Sequence, residues 1–257
     1  MLVMPGETVR IANDERVSLG LDADVEARSV RLTPRFGDAA NIEAGEDGLF
    51  PFPTFPCPNE VAIGWLSSSG DALFRSRAIV CDRHYFPLSA LSGYGHGSDD
   101  FDELPEDDLR RARQAATEVF EEAAHRAFVR RIGRVSDFGG DGLLNAGVDP
   151  IREVLTPGYR QTGYSLIERD GRCGRTFPCE VEFVYGRDEV PAEVSRAVLE
   201  LAAYTLRPSN RPVGATGEST DAGGYIHFIT AGRDGATAVP EVNAAIEMFG
   251  RGEACVW

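Results

Sequence analysis

Hydrophobic and polar residues alternate with a two-residue period through the first third of the chain, and with a three-to-four-residue period in segments after it. Thr8-Val9-Arg10-Ile11 alternates, as does Val17-Ser18-Leu19-Gly20-Leu21 with its apolar residues at odd positions. Val30-Arg31-Leu32 and Val61-Ala62-Ile63-Gly64-Trp65 repeat that period, and Ala78 to Cys81 is a short apolar run. Asn13-Asp14, Phe36-Gly37-Asp38, Gly45-Glu46-Asp47-Gly48 and Ser68-Ser69-Gly70-Asp71 punctuate these runs as turns. Short strands at this spacing predict a small β-sandwich over residues 1–90. Phe50 to Pro58 breaks the pattern, because its four prolines forbid a central strand and predict an extended edge or a loop.

Residues 91–103 read as a Gly/Ser-rich, acidic linker, with Ser92-Gly93-Tyr94-Gly95-His96-Gly97-Ser98 running into seven acids between Asp99 and Asp108. A helix is predicted from Pro105, since proline suits a first helical position and acids there complement the helix dipole. Leu109, Ala112, Ala116, Val119, Phe120, Ala123 and Ala127 recur at helical spacing on one face. The small alanines allow close helix approach, within one chain or between neighbouring subunits. Strands follow at Phe128–Ile132, Tyr164–Glu168 and Val181–Tyr185, and a strand or short helix at Ile151–Leu155. Arg169-Asp170-Gly171-Arg172 reads as a hairpin turn between the later two strands, because Asp-Gly suits a type I′ turn. A second helix follows Pro191 with Val194, Ala197, Val198, Leu201, Ala202 and Thr205 on its stripe. Residues 104–208 thus form a mainly helical core with a β-hairpin insert. Residues 209–257 form an extended arm with a strand at Tyr225–Ile229 and a short helix at Pro240–Phe249. The fold class is α+β, and Val256-Trp257 ends the chain as an apolar tip that suits docking on a partner.

The chain has 257 residues and 26 basic against 41 acidic residues, for a net charge of −15. Every basic residue is arginine. That balance argues against gripping nucleic acid along an open face, which basic domains do. No apolar run approaches the roughly 18 residues of a membrane span, and the N-terminus lacks the marks of a secretory signal. Cys57, Cys81, Cys173, Cys179 and Cys255 read as free reduced thiols. Cys81-Asp82-Arg83-His84 with Cys173 and Cys179 has poor spacing for structural zinc. Phosphate-loop, dinucleotide, zinc-protease and nucleophile-elbow motifs are missing. Of the histidines, His125 reads as a helix C-cap, His227 as structural, and His96 as part of the linker, a poor place to preorganise catalysis. The sequence therefore offers no catalytic, cofactor or metal site. A pair of carboxylates close in space, as in a glycosidase, stays open.

The order of parts then carries a resemblance. Leu104-Pro105-Glu106-Asp107-Asp108-Leu109 opens the first helix, which exits through Arg126-Ala127-Phe128-Val129-Arg130-Arg131 into a Gly-rich turn. A hairpin region ends Val181-Glu182-Phe183-Val184-Tyr185-Gly186, and Pro191-Ala192-Glu193-Val194 opens the second helix. Residues 104–250 so resemble the head–tail connector (adaptor) proteins of long-tailed double-stranded DNA bacteriophages. Val239-Pro240-Glu241-Val242 resembles the short terminal helix found in phages of actinobacteria. The N-terminal strands look like the added immunoglobulin-like or sandwich module of larger actinophage connectors.

The resemblance implies a structural virion protein of the neck, assembled in the host cytoplasm. It implies a homo-oligomeric, dodecameric ring below the portal protein that extends the DNA channel and meets a stopper or tail-terminator protein. Double-stranded DNA would pass through the lumen without sequence-specific binding and without a membrane. Leu109, Ala112, Ala116, Val119, Phe120, Val194, Ala197, Val198 and Leu201 would pack the ring helices. Phe249, Arg251, Val256 and Trp257 would dock the tail on the portal. A second reading makes the β-sandwich a carbohydrate- or surface-binding module on an oligomerising helical domain, with Phe50, Phe52, Phe55 and Trp65 as a stacking platform.

Overall fold

The computed structural model describes residues 1–9, 27–94, 101–171, 177–207, 217–219, 225–227, 231–232 and 235–250, with only the backbone at 217–219 and 225–227. The strand expected at Val17–Leu21, the Asn13-Asp14 turn, His96, Cys173, Cys255 and the tail residues Arg251, Val256 and Trp257 lie outside the described residues. The chain is α+β and divides into two compact units, each assembled from two stretches of sequence. One unit joins Met1–His84 with Val129–Asp188, and the other joins Tyr85–Phe128 with Glu189–Trp257.

The first unit opens with β1 (Leu2–Val3), β2 (Thr8–Val9), β3 (Ser29–Pro34), β4 (Ala40–Glu43), β5 (Phe50–Pro51), β6 (Asn59–Leu66) and β7 (Ala72–Val80). A five-stranded sheet runs β1-β7-β6-β3-β4, antiparallel except for β1 beside β7. β6 and β7 form a hairpin around Gly70, whose φ of +86° is left-handed space that glycine adopts without a Cβ clash. Alternation in β6 turns Val61, Ile63 and Trp65 inward. They pack with Val30, Leu32 and Val80 and with Val9, Phe50, Phe52 and Phe55, carried on and beside the two-stranded β2–β5 ribbon. The Phe50–Pro58 stretch therefore supplies one short edge strand and then a loop, as its prolines require. Trp65 Nε1 donates to Ser76 Oγ at 2.8 Å, so the buried indole keeps a partner.

The same unit is completed by β8 (Arg131–Asp137), β9 (Leu143–Asn145), β10 (Ile151–Val154), β11 (Tyr159–Gln161), β12 (Leu166–Arg169) and β13 (Cys179–Tyr185). They form two three-stranded sheets, β10-β13-β8 and β11-β12-β9, around Ile151, Tyr159, Ile167, Val181 and Phe183. The hairpin expected across Asp170-Gly171 does not form, because β12 pairs with β9 and β11 while β13 pairs with β8 and β10. Local turn chemistry yields here to burial: Ile167 and Val181 are both fully enclosed, and the Asp170 amide bonds back to the Gly158 carbonyl at 2.8 Å. Gly186 (φ +108°) closes the stretch where a Cβ would lie 2.2 Å from the Val129 carbonyl oxygen.

The second unit contains α1 (Leu88–Ser92), α2 (Glu106–Ala124), α3 (Ala192–Leu206) and α4 (Pro240–Phe249), with a backbone ribbon of β14 (Gly217–Ser219) and β15 (Tyr225–His227). Prolines 105 and 191 cap the starts of α2 and α3, and Pro240 occupies the first turn of α4. His125 caps α2 in left-handed geometry (φ 50°), its amide bonding the Glu121 and Glu122 carbonyls. Leu91 and Phe101, inside the expected linker, are buried. Among the described residues no helix is long and apolar enough to cross a membrane.

Candidate assembly surfaces

The helical unit is centred on α2. Its buried arc comprises Leu109, Ala112, Arg113, Ala116, Thr117, Phe120 and Ala124. Thr117 enters that arc because its hydroxyl donates to the Arg113 carbonyl at 2.8 Å. The arc is rotated toward Arg113 and Thr117, so Val119 is 44% exposed rather than part of the buried stripe. On α3, Val194, Ala197, Val198, Leu201, Ala202 and Ala203 are buried, while Thr205 faces solvent. α2 packs on α3 and α4 packs on both. Eight of the nine residues expected to pack a ring are thus used up inside one chain, and Val119 is the one that faces outward.

Tyr85 joins the elements of this unit. Its hydroxyl donates to Glu121 and accepts the Phe128 amide at 3.0 Å, and its carbonyl accepts from Ser195 Oγ at 2.7 Å. Phe128 packs edge-on against Tyr85 and against Phe249, with centroids 6.2 and 6.4 Å apart. Arg126 donates to the Phe249 carbonyl at 2.8 Å. Phe249, expected as part of a docking tail, is half-buried in this aromatic group.

Two ionic groups organise the first unit. Asn59 is fully buried and accepts from the amides of Arg35, Phe36 and Glu60, while its own amide donates to the Phe36 carbonyl at 2.7 Å. The loop so fixed aims Arg35 at Glu182 on β13, at 2.9 and 2.5 Å. Arg134 on β8 pairs with Glu182 at 3.2 Å and with Glu60 on β6 at 2.5 Å. The Arg35 hydrogen bonds hold the Glu182 carboxyl below the usual range against its burial, with Arg134 adding to them.

The second group surrounds Asp137 at the end of β8, 1% exposed. Its carboxylate accepts from the Gly139 amide (2.8 Å), Tyr159 (2.9 Å) and Arg169 (3.1 Å). Burial alone would raise its pKa, but these donors outweigh that and hold it below the ordinary aspartate value. Arg169 also donates to the Gly140 carbonyl at 2.7 Å and lies over the Phe177 ring at 4.6 Å. The loop after Asp137 is held from both sides.

The remaining candidates are engaged elsewhere. Phe50, Phe52, Phe55 and Trp65 are buried at 3%, 2%, 7% and 1% exposure, so they form core and no stacking platform. Cys81 donates to the Val3 carbonyl, and burial, then Glu7, pushes its thiol up to about 12. His84 pairs with Glu7 at 3.1 Å, and Cys179 lies 3.2 Å from the Tyr159 hydroxyl, so these groups do not converge. Among the described residues no group of three metal-ligating side chains occurs. The polar groups at Asp137 and Glu182 could not be read from the sequence, since their partners come from four or more separate strands and loops. The one local hint was the Gly139-Gly140-Asp141-Gly142 turn, which marks a backbone needing left-handed space.

No family model and no curated protein matches this chain. Three solved chains are similar to parts of it. One, from the neck of an empty gene transfer agent (GTA) particle computed with C6 symmetry, is 18% identical with a TM-score of 0.39, covering 51% of this chain and 83% of that one. Another, from the virion of a native GTA particle, is 17% identical with a TM-score of 0.43, covering 67% and 93%. A third, from the neck of a native GTA particle computed with C12 symmetry, is 20% identical with a TM-score of 0.35, covering 49% and 83%.

Proposed function

We propose that this chain is a non-enzymatic structural protein of a phage-like particle, a head-to-tail connector that forms a ring below the portal. The observation that carries the reading is the element order within the helical unit. α2 and α3, each begun at a proline, pack together while the strands between them in sequence, β8 to β13, belong to the other unit, and α4 closes the helical group. That order of helices is the one the phage-connector resemblance rests on, while the hairpin it expects between them is replaced by two three-stranded sheets. In this reading the N-terminal strands are an added immunoglobulin-like or sandwich module. The ring extends the DNA channel, is dodecameric, and meets a stopper or tail-terminator protein on its far side. Its helix contacts run through outward flanks such as Val119, and residues 251–257 reach the portal. The helical unit carries 19 acidic residues against nine arginines, so a lumen lined by it repels DNA and lets it pass.

The test is electron microscopy of the full chain, alone and mixed with the portal protein of its own particle. Rings, or a density that appears below the portal vertex only when this chain is added, are expected. A chain that stays monomeric and leaves portal-bearing heads unchanged overturns the reading. A chain shortened by residues 251–257 should fold but fail to join such heads.

A further inference from the structure

The loop after β8 combines two properties that rarely occur together. It is pinned through Asp137 and Arg169, yet it exposes an aromatic ring: Phe138 is 79% solvent-accessible. Leu143, where the loop ends, is 49% exposed. A rigid exposed aromatic loses little conformational freedom on burial, which is the character of an anchor at a protein interface.

At the other end of β8 lies a pocket of about 210 Å³. Small-molecule sites run to roughly 300–1,000 Å³, so this one suits a single side chain. Cys57, Pro58 and Cys81 form its apolar wall, and Arg83 and Arg130 line the rest together with the carboxylates of Asp82 and Asp188. Each guanidinium is held by one of these carboxylates, Asp82 at 2.8 Å and Asp188 at 2.6 Å. Fixed guanidinium planes beside apolar atoms fit the face of an aromatic ring. Arg130 precedes β8 and Phe138 follows it, so knob and socket are separated by roughly 25 Å of strand at about 3.3 Å per residue.

We infer that Phe138 of one copy of this chain inserts into the Cys57–Pro58–Arg83–Arg130 pocket of the next. Unlike surfaces at opposite ends of one element give a head-to-tail contact, which propagates and closes into a ring when the rotation per copy allows. Charge favours these two surfaces as the contact, because the pocket's Arg83 and Arg130 are offset by Asp82 and Asp188. Residues 129–188 hold nine acids and nine arginines, so the whole net charge of −15 lies outside them. Copies meeting through the Phe138 loop and this charge-balanced pocket avoid the repulsion that their other surfaces impose. The inference rests on the ring reading above and names the contact that closes it.

The experiment uses the full chain with p-benzoylphenylalanine at position 138, cross-linked by light in assembled rings and mapped by mass spectrometry. Bonds to residues 57–58, 81–83 or 130 of a neighbouring copy are expected. Phe138→Ala should raise the concentration for half-assembly on the order of tenfold or more. Its melting temperature should be unchanged, because the ring it removes is exposed, and Phe138→Trp should retain assembly. Cross-links that map elsewhere on the copy or onto another particle protein overturn the inference, as do Phe138→Ala rings with unaltered concentration dependence. Either result leaves the ring reading standing. A wild-type chain that forms no ring overturns both.

Discussion

Asp137 illustrates how a single carboxylate can organise a surface it does not reach. Its side chain is buried, and three donors from the following loop, β11 and β12 converge on it. Asp137→Asn keeps the shape but removes the charge that these donors answer, and breaking one side of a buried pair costs about 3 kcal/mol. The pH dependence has a definite sign. The folded carboxyls of Asp137 and Glu182 titrate below their unfolded counterparts. Their stabilisation is therefore complete above the unfolded values, near 4, and is lost as pH falls through the lower folded ones. Melting temperatures of wild type should drop steeply below pH ~4. Asp137→Asn should start lower at pH 7 and fall with a shallower slope over the acid range. An equal slope for both proteins would mean that Asp137 contributes nothing to the acid limb.

Elements were legible where their signals are local. The prolines at 105, 191 and 240 mark helix starts, and the 3.6-residue stripe behind Pro191 identifies the buried face of α3 except at Thr205, which faces solvent. On α2 the stripe was legible but its centre was not. Burying Arg113 and Thr117 requires polar partners supplied by the folded unit, and hydrophobicity alone rotates the face toward Val119. The Asp170-Gly171 hairpin failed for a related reason, since strand pairing is decided by non-local burial once the turn residues permit several partners. The two polar groups of the first unit, and the joining of residues 129–188 to residues 1–84, leave no periodic trace in the chain. The corrected α2 face makes a discriminating pair of substitutions. Ala116→Leu overpacks a site with 1% exposure and should destabilise the isolated chain by about 2 kcal/mol. Val119→Asp should change that stability by less than about 0.5 kcal/mol. If α2 faces a neighbouring copy, Val119→Asp should nonetheless reduce ring assembly, measured by sedimentation. Assembly that tracks only Ala116 would mean the outward flank of α2 is solvated in the ring.

At the scale of the whole molecule the dominant quantity is charge. Ten of the 15 net negative charges fall in the helical unit, while residues 129–188 are balanced. Bringing copies together raises the charge density of the assembly, and the resulting repulsion opposes association. Salt screens it: the Debye length falls from about 10 Å at 0.1 M to about 3 Å at 1 M. Two kinds of ring contact respond oppositely. Contacts made by apolar anchors gain from screening, because salt weakens repulsion and leaves hydrophobic burial intact. Contacts made by ion pairs between copies lose, since their attraction is screened too. An aromatic knob in a pocket whose arginines are already neutralised belongs to the first kind. Raising sodium chloride from 0.05 to 0.5 M should therefore shift the monomer–ring equilibrium toward rings, read by mass photometry at fixed protein concentration. Dissociation over the same range would assign the contact to inter-subunit ion pairs, for which the exposed arginines of α2, such as Arg111, would be the first to substitute.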